Sequence, residues 1–134
     1  MPSEPQPASG SKALVWIGRI ISALPVLALC FSASMKFGDS KELQEGIAQL
    51  GFPMSVVFGL GIVELACALI YAIPYTSVLG AILVTGYLGG AVAAHVRVGD
   101  PPGKIAAPII IGVLVWLGLV LRDARLRSVL PLRL

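Results

Sequence analysis

The side chain that invites a chemical reading first is Glu64. It lies midway along an unbroken apolar run, about ten residues or ~15 Å from either end if that run is helical. A carboxylate at such a depth facing hydrocarbon would cost several kcal/mol, so it must turn toward protein neighbours or carry a proton. Three chemistries suit a buried acid of this kind: carrying a proton, balancing a cationic ligand, or donating to a quinone-like carbonyl. The plainer reading is a hydrogen-bonded Glu that fixes helix packing. Counting back from the breaker at Pro74 puts Thr85, Gly86 and Tyr87 level with Glu64 on the following helix, so a Thr85 or Tyr87 hydroxyl is in place to donate to it. His95 and Arg97 end that same helix and Lys36 ends the first one. These three gather at one membrane level, above the carboxylate, with His95 about ten residues or ~15 Å beyond direct reach of Glu64.

Other chemistries find no residues. Cys30 and Cys67 lie far apart inside apolar runs and form no CxxC, which makes them small buried hydrophobes, not a disulfide or thiol relay. With one histidine and no HExxH, GxSxG or GxxxxGK, metal ligation, nucleophilic hydrolysis and nucleotide-driven work are set aside, and no metal is expected. The net charge of +3 arises beside apolar spans, without the basic stripe and interleaved aromatics that nucleic acid requires.

The elements that must position these groups follow from hydropathy. At 57% hydrophobic and 13% charged residues, the chain carries more apolar surface than a soluble domain of 134 residues can bury. Four apolar segments, 13–35, 54–73, 75–96 and 105–121, each approach the ~20 residues needed to cross a bilayer, and their apolarity on every face excludes a barrel. The expected fold is therefore an all-α, antiparallel four-helix bundle embedded in a membrane, preceded by a disordered tail over 1–12. Residues 36–53 hold Leu43, Ile47 and Leu50 at helical spacing among charges, which predicts a short interfacial helix. Pro74 and Tyr75 leave room only for a tight hairpin between the second and third spans. Gly86, Gly90 and Ala94 form a small-residue row, which predicts close packing and a central place for the third span. Trp16, Trp116, Tyr71 and Tyr75 fall toward span ends as an aromatic belt.

An even number of spans puts both termini on one side. That side carries Lys12, Arg19, Arg122, Arg125, Arg127 and Arg133, against Lys36, Lys41, Arg97 and Lys104 on the other, so the termini are expected to be cytoplasmic.

The succession SASMKF, LGFP, GIVELACALIYAIP and LGAILVTGYLGGAVAAHVRVGDP resembles the DoxX-like family of four-helix bacterial membrane proteins, over nearly the whole chain beyond the tail. The matching positions are Lys36, Glu64, Pro74, Gly80, His95 and Gly99. The family takes its name from a small subunit associated with a terminal quinol oxidase, and another member is linked to a membrane oxidoreductase complex. The resemblance thus implies a multi-pass protein of the bacterial inner membrane, and together with Glu64 at mid-depth and the absence of catalytic motifs it favours a non-catalytic subunit or lipophile- or quinone-binding accessory of a membrane redox system. Its partners would be lipid, a membrane oxidoreductase, a quinone (the one cofactor admitted) or a second copy of the chain. From the residues themselves, the candidate site comprises Glu64, Lys36, His95, Arg97, Tyr87 and Thr85, of which Glu64, Lys36 and His95 also match the family. The alternative is a proton-coupled small-molecule carrier that works through Glu64.

Overall fold

A computed structural model describes residues 9–130, with side chains from Lys12 onward. Every regular element among them is helical: α1 Ser9–Lys36, α2 Lys41–Leu50, α3 Val57–Ala72, α4 Ser77–Arg97, α5 Pro102–Arg122 and α6 Ala124–Val129, with single 3-10 turns at Met54–Val56 and Pro74–Thr76. α1, α3, α4 and α5, the middle two extended by those 3-10 turns, are the helices long and apolar enough to cross a membrane. The tail expected over 1–12 falls partly outside the described residues, and its last four residues already belong to α1.

The spanning helices form a ring in chain order: α1 packs on α3 and α5, and α4 packs on the same two. Each therefore has two flanking partners, and the third span, α4, holds no central place. Alternating direction along the ring brings the start of α1 beside the end of α5, so both ends of the bundle chain lie together. Phe31, Leu27, Leu79, Ile82, Ile110 and Val113 point outward, fully apolar and exposed, as helices solvated by lipid require.

Close backbone approach replaces the hydrophobic drive that lipid does not supply. It occurs at glycines other than those of the expected row. A Cβ on Gly18 would stand 2.8 Å from the Arg122 nitrogen and from the Gly118 carbonyl, so α1 and α5 cross nearly in backbone contact. A Cβ on Gly80 would strike the Tyr71 backbone, which sets the α3–α4 hairpin. Around Gly86, Gly89 and Gly90, by contrast, an added Cβ would meet nothing within 4 Å. The two glycines of the row read as a packing seam border open space, and of that row Ala94 is the buried member.

Tyr71 also departs from expectation. It is no belt residue but fully buried in a core with Leu29, Val84, Val115 and Leu119. Its hydroxyl donates to the Val115 carbonyl at 2.7 Å and meets Ser22 Oγ at 3.0 Å. The Arg122 guanidinium lies 5.1 Å from its ring centre and donates to Ser77 Oγ at 3.2 Å, so this arginine ties α5 to α3 and α4.

Candidate functional site

The site is assembled at the end of the bundle opposite the termini. Gly61 has no side chain where the last turn of α1 crosses α3, and a Cβ there would press Lys36 Cβ at 3.1 Å. The Lys36 stem therefore lies down on α3 over Gly61, and Glu64, one turn further along the same face, receives its head. Lys36 Nζ donates to Glu64 Oε2 at 2.8 Å and to Ser32 Oγ, one turn back on its own helix, at 2.9 Å. From the other side the Tyr87 hydroxyl donates to the same Oε2 at 3.2 Å. The pair is deeply set: the Glu64 side chain is 3% exposed and that of Lys36 15%. Paired and hydrogen-bonded in this way, a charged carboxylate is tolerable at membrane depth.

Beside this triad opens a cavity of about 770 Å³. Ala28 and Leu29 of α1, Leu60 of α3, Gly86, Gly90 and Ala91 of α4, and Ala107, Pro108 and Ile111 of α5 give it apolar walls, and Ser32, Lys36, Glu64 and Tyr87 line it beside them. The open space around Gly86 and Gly90 is this cavity.

Its mouth is roofed by α2. Ser40 caps that helix by accepting from the Leu43 N–H at 3.2 Å, and Gly51, at φ 81°, ends it in the left-handed conformation that glycine adopts without strain. Leu43, Gly46, Ile47 and Leu50 face the cavity, so the helix expected to lie on the membrane surface turns its apolar stripe onto the bundle end. A polar latch holds it there. Gly99, at φ 71°, curls the end of α4 so that the Asp100 N–H donates to the His95 carbonyl at 3.1 Å. The Asp100 carboxylate thereby lands on its neighbours, with Oδ2 2.6 Å from His95 Nδ1 and Oδ1 accepting from Gln49 Nε2 of α2 at 3.1 Å. Arg97 reaches across to donate to the Leu50 carbonyl, at the end of α2.

Of the six candidate residues, then, Glu64, Lys36 and Tyr87 meet directly. His95 stands at the cavity mouth. Arg97 caps α2 and does not line the cavity. Thr85 points elsewhere: its hydroxyl donates to the Ala81 carbonyl at 2.7 Å and accepts from the Trp116 indole at 2.7 Å. Two residues along a helix turn the side chain by about 200°, so Thr85 and Tyr87 cannot share a face. Sequence reasoning missed Ser32, Asp100 and Gln49. Ser32 had a readable signal, four residues before Lys36 on one helix face, whereas Asp100 read only as part of a breaker loop.

The sequence model of the DoxX-like family matches residues 20–118. The chain belongs to the DoxX-like family. No curated protein and no solved structure matches it. The matched stretch of this DoxX-like protein runs from α1 to near the end of α5 and contains the whole triad, the roof helix and the His95–Asp100 latch. At the far end of the bundle Lys12, Arg19, Arg122 and Arg127 surround a second, smaller cleft beside Trp16, a cationic rim of the kind that meets lipid phosphates.

Proposed function

We propose that this DoxX-like protein is a non-catalytic membrane component that holds an amphipathic lipophile, of the quinone class, in the α2-roofed cavity on behalf of a membrane redox system. The observation that carries the reading is the cavity itself, apolar-walled, of a volume usual for small-molecule sites, with polar groups converging around Glu64 and a second polar set, with His95, Asp100 and Lys104, toward its mouth. Apolar walls around the Glu64 cluster suit a ligand with a hydrocarbon body and a polar head. Lys36 and Ser32 would orient the head, Glu64 would fix Lys36, and α2 would shield the site. With the excess of Lys and Arg on the terminal side, we place the termini in the cytoplasm and the cavity mouth at the outer face of a bacterial inner membrane.

A proton-coupled carrier fits less well, because Glu64 already holds two internal donors and would have to give up Lys36 at each cycle. Flux into liposomes that follows an imposed pH gradient would favour the carrier instead. The test of the main reading is purification of the full chain from its membrane in mild detergent, followed by solvent extraction and mass spectrometry. A bound quinone or quinol, or a co-purifying oxidoreductase, is expected. Absence of both, with unchanged respiration in a Glu64→Gln strain, would overturn it.

A further inference from the structure

The hydrogen-bond ledger of the triad is lopsided. Both donors that reach Glu64, the Lys36 ammonium and the Tyr87 hydroxyl, converge on Oε2. Among the described residues none donates to Oε1. Nor is Oε1 sealed in: the buried side-chain atom without a partner among those residues is Arg122 Nε, at the other end of the bundle. Oε1 therefore keeps its contact with the cavity that Glu64 lines. On the same side, Lys36 has placed two of its three N–H groups, on Glu64 and on Ser32, and retains one. Lys36 and Glu64 both line the cavity, so an acceptor oxygen and a donor nitrogen border one space.

Resting on the cavity being a lipophile site, we infer that its ligand must bring a hydroxyl donor to Glu64, so that the hydroquinone form is held in preference to the quinone. A hydroxyl serves both groups at once, donating to Oε1 and accepting from Lys36 Nζ. A quinone carbonyl serves only Nζ. Once the ligand body has displaced water from this wall, Oε1 is left without a donor, and an unsatisfied buried acceptor carries a penalty that a hydroxyl ligand avoids. The expected discrimination is about tenfold or more in Kd, since sites built to bond a hydroxyl reject analogues that lack it. The protein is thereby a holder of the reduced lipophile, with no electron moving at the site.

The test uses the wild-type chain in nanodiscs of zwitterionic lipid and three ligands of nearly one shape: durohydroquinone kept reduced under anaerobic conditions, its dimethyl ether, and duroquinone. Titration calorimetry is expected to rank the hydroquinone at least about tenfold tighter than the other two, and Glu64→Gln to shrink that gap to less than about threefold. Equal binding of hydroquinone and quinone would overturn the hydroxyl-donor inference and leave the lipophile reading standing. Binding of none of the three would overturn both. A long-chain alcohol binding as tightly as the hydroquinone would uphold the donor rule and move the natural source to hydroxylated lipids.

Discussion

Replacing Lys36 with methionine keeps most of the apolar stem over Gly61 and deletes the ammonium 2.8 Å from Glu64. Removing one partner of a fully buried ion pair costs about 3–5 kcal/mol, because the other charge is stranded. Here the Lys36 side chain keeps 15% of its exposure and the pair borders a cavity that water can enter, so the expected loss is nearer 2–3 kcal/mol. Glu64→Gln is milder. The amide oxygen still accepts from Lys36 and Tyr87, and the ammonium left behind has Ser32 and the cavity, which sets the loss at about 1 kcal/mol. The double variant strands no charge, so it should lie about 1 kcal/mol below wild type, a coupling of about 2–3 kcal/mol. Reversible unfolding in mixed micelles titrated with SDS, followed by circular dichroism, measures all four members of the cycle. A Lys36→Met protein within about 0.5 kcal/mol of wild type, or two losses that simply add, would refute the pairing.

Gly90→Leu places its Cβ where nothing lies within 4 Å and extends into cavity space, so unfolding should stay near wild type while ligand affinity falls by about tenfold or more; an unaffected affinity would show that the ligand lies elsewhere. Gly80→Ala presses a methyl into the Tyr71 backbone and should cost about 2 kcal/mol or more in the same SDS titration, unlike Gly89→Ala, which meets nothing within 4 Å. Asp100→Asn weakens the latch to His95 and Gln49, and hydrogen exchange should speed up across Lys41–Leu50 with little change in α3; uniform exchange would deny that the latch holds the roof.

Much of this architecture was legible because bilayer thickness and hairpin length constrain it tightly. Four runs near 20 residues fix the spans, and the short connection at Pro74 fixes the register of α3 against α4, which is why Tyr87 could be placed level with Glu64. The register of α1 against α3 was not legible, because residues 37–53 between them leave it free. Lys36 therefore read as a group gathered above the carboxylate, when Gly61 in fact lets it lie down onto Glu64. Thr85 was misplaced by counting level without counting angle. Gly86 and Gly90 were misread for a deeper reason: small residues at four-residue spacing serve equally to admit a neighbouring helix or to leave room for a cavity, and only the position of α1 and α5 decides between them. Tyr71 at a span end looked like an interface anchor, and only the Arg122 and Val115 groups brought in by α5 give its buried hydroxyl and ring their partners.

The central claim is that a lipophile occupies the space beneath α2 and beside Glu64. The most direct measurement is photolabelling of the nanodisc-embedded chain with a diazirine-bearing hydroquinone, with adducts mapped by mass spectrometry. Labelling is expected to concentrate at Ser32, on α4 between Gly86 and Ala94 and at Ile111 on α5, and to vanish when unlabelled hydroquinone competes. Adducts spread over the lipid-facing Leu27, Phe31, Leu79 and Ile82, indifferent to competitor, would contradict it.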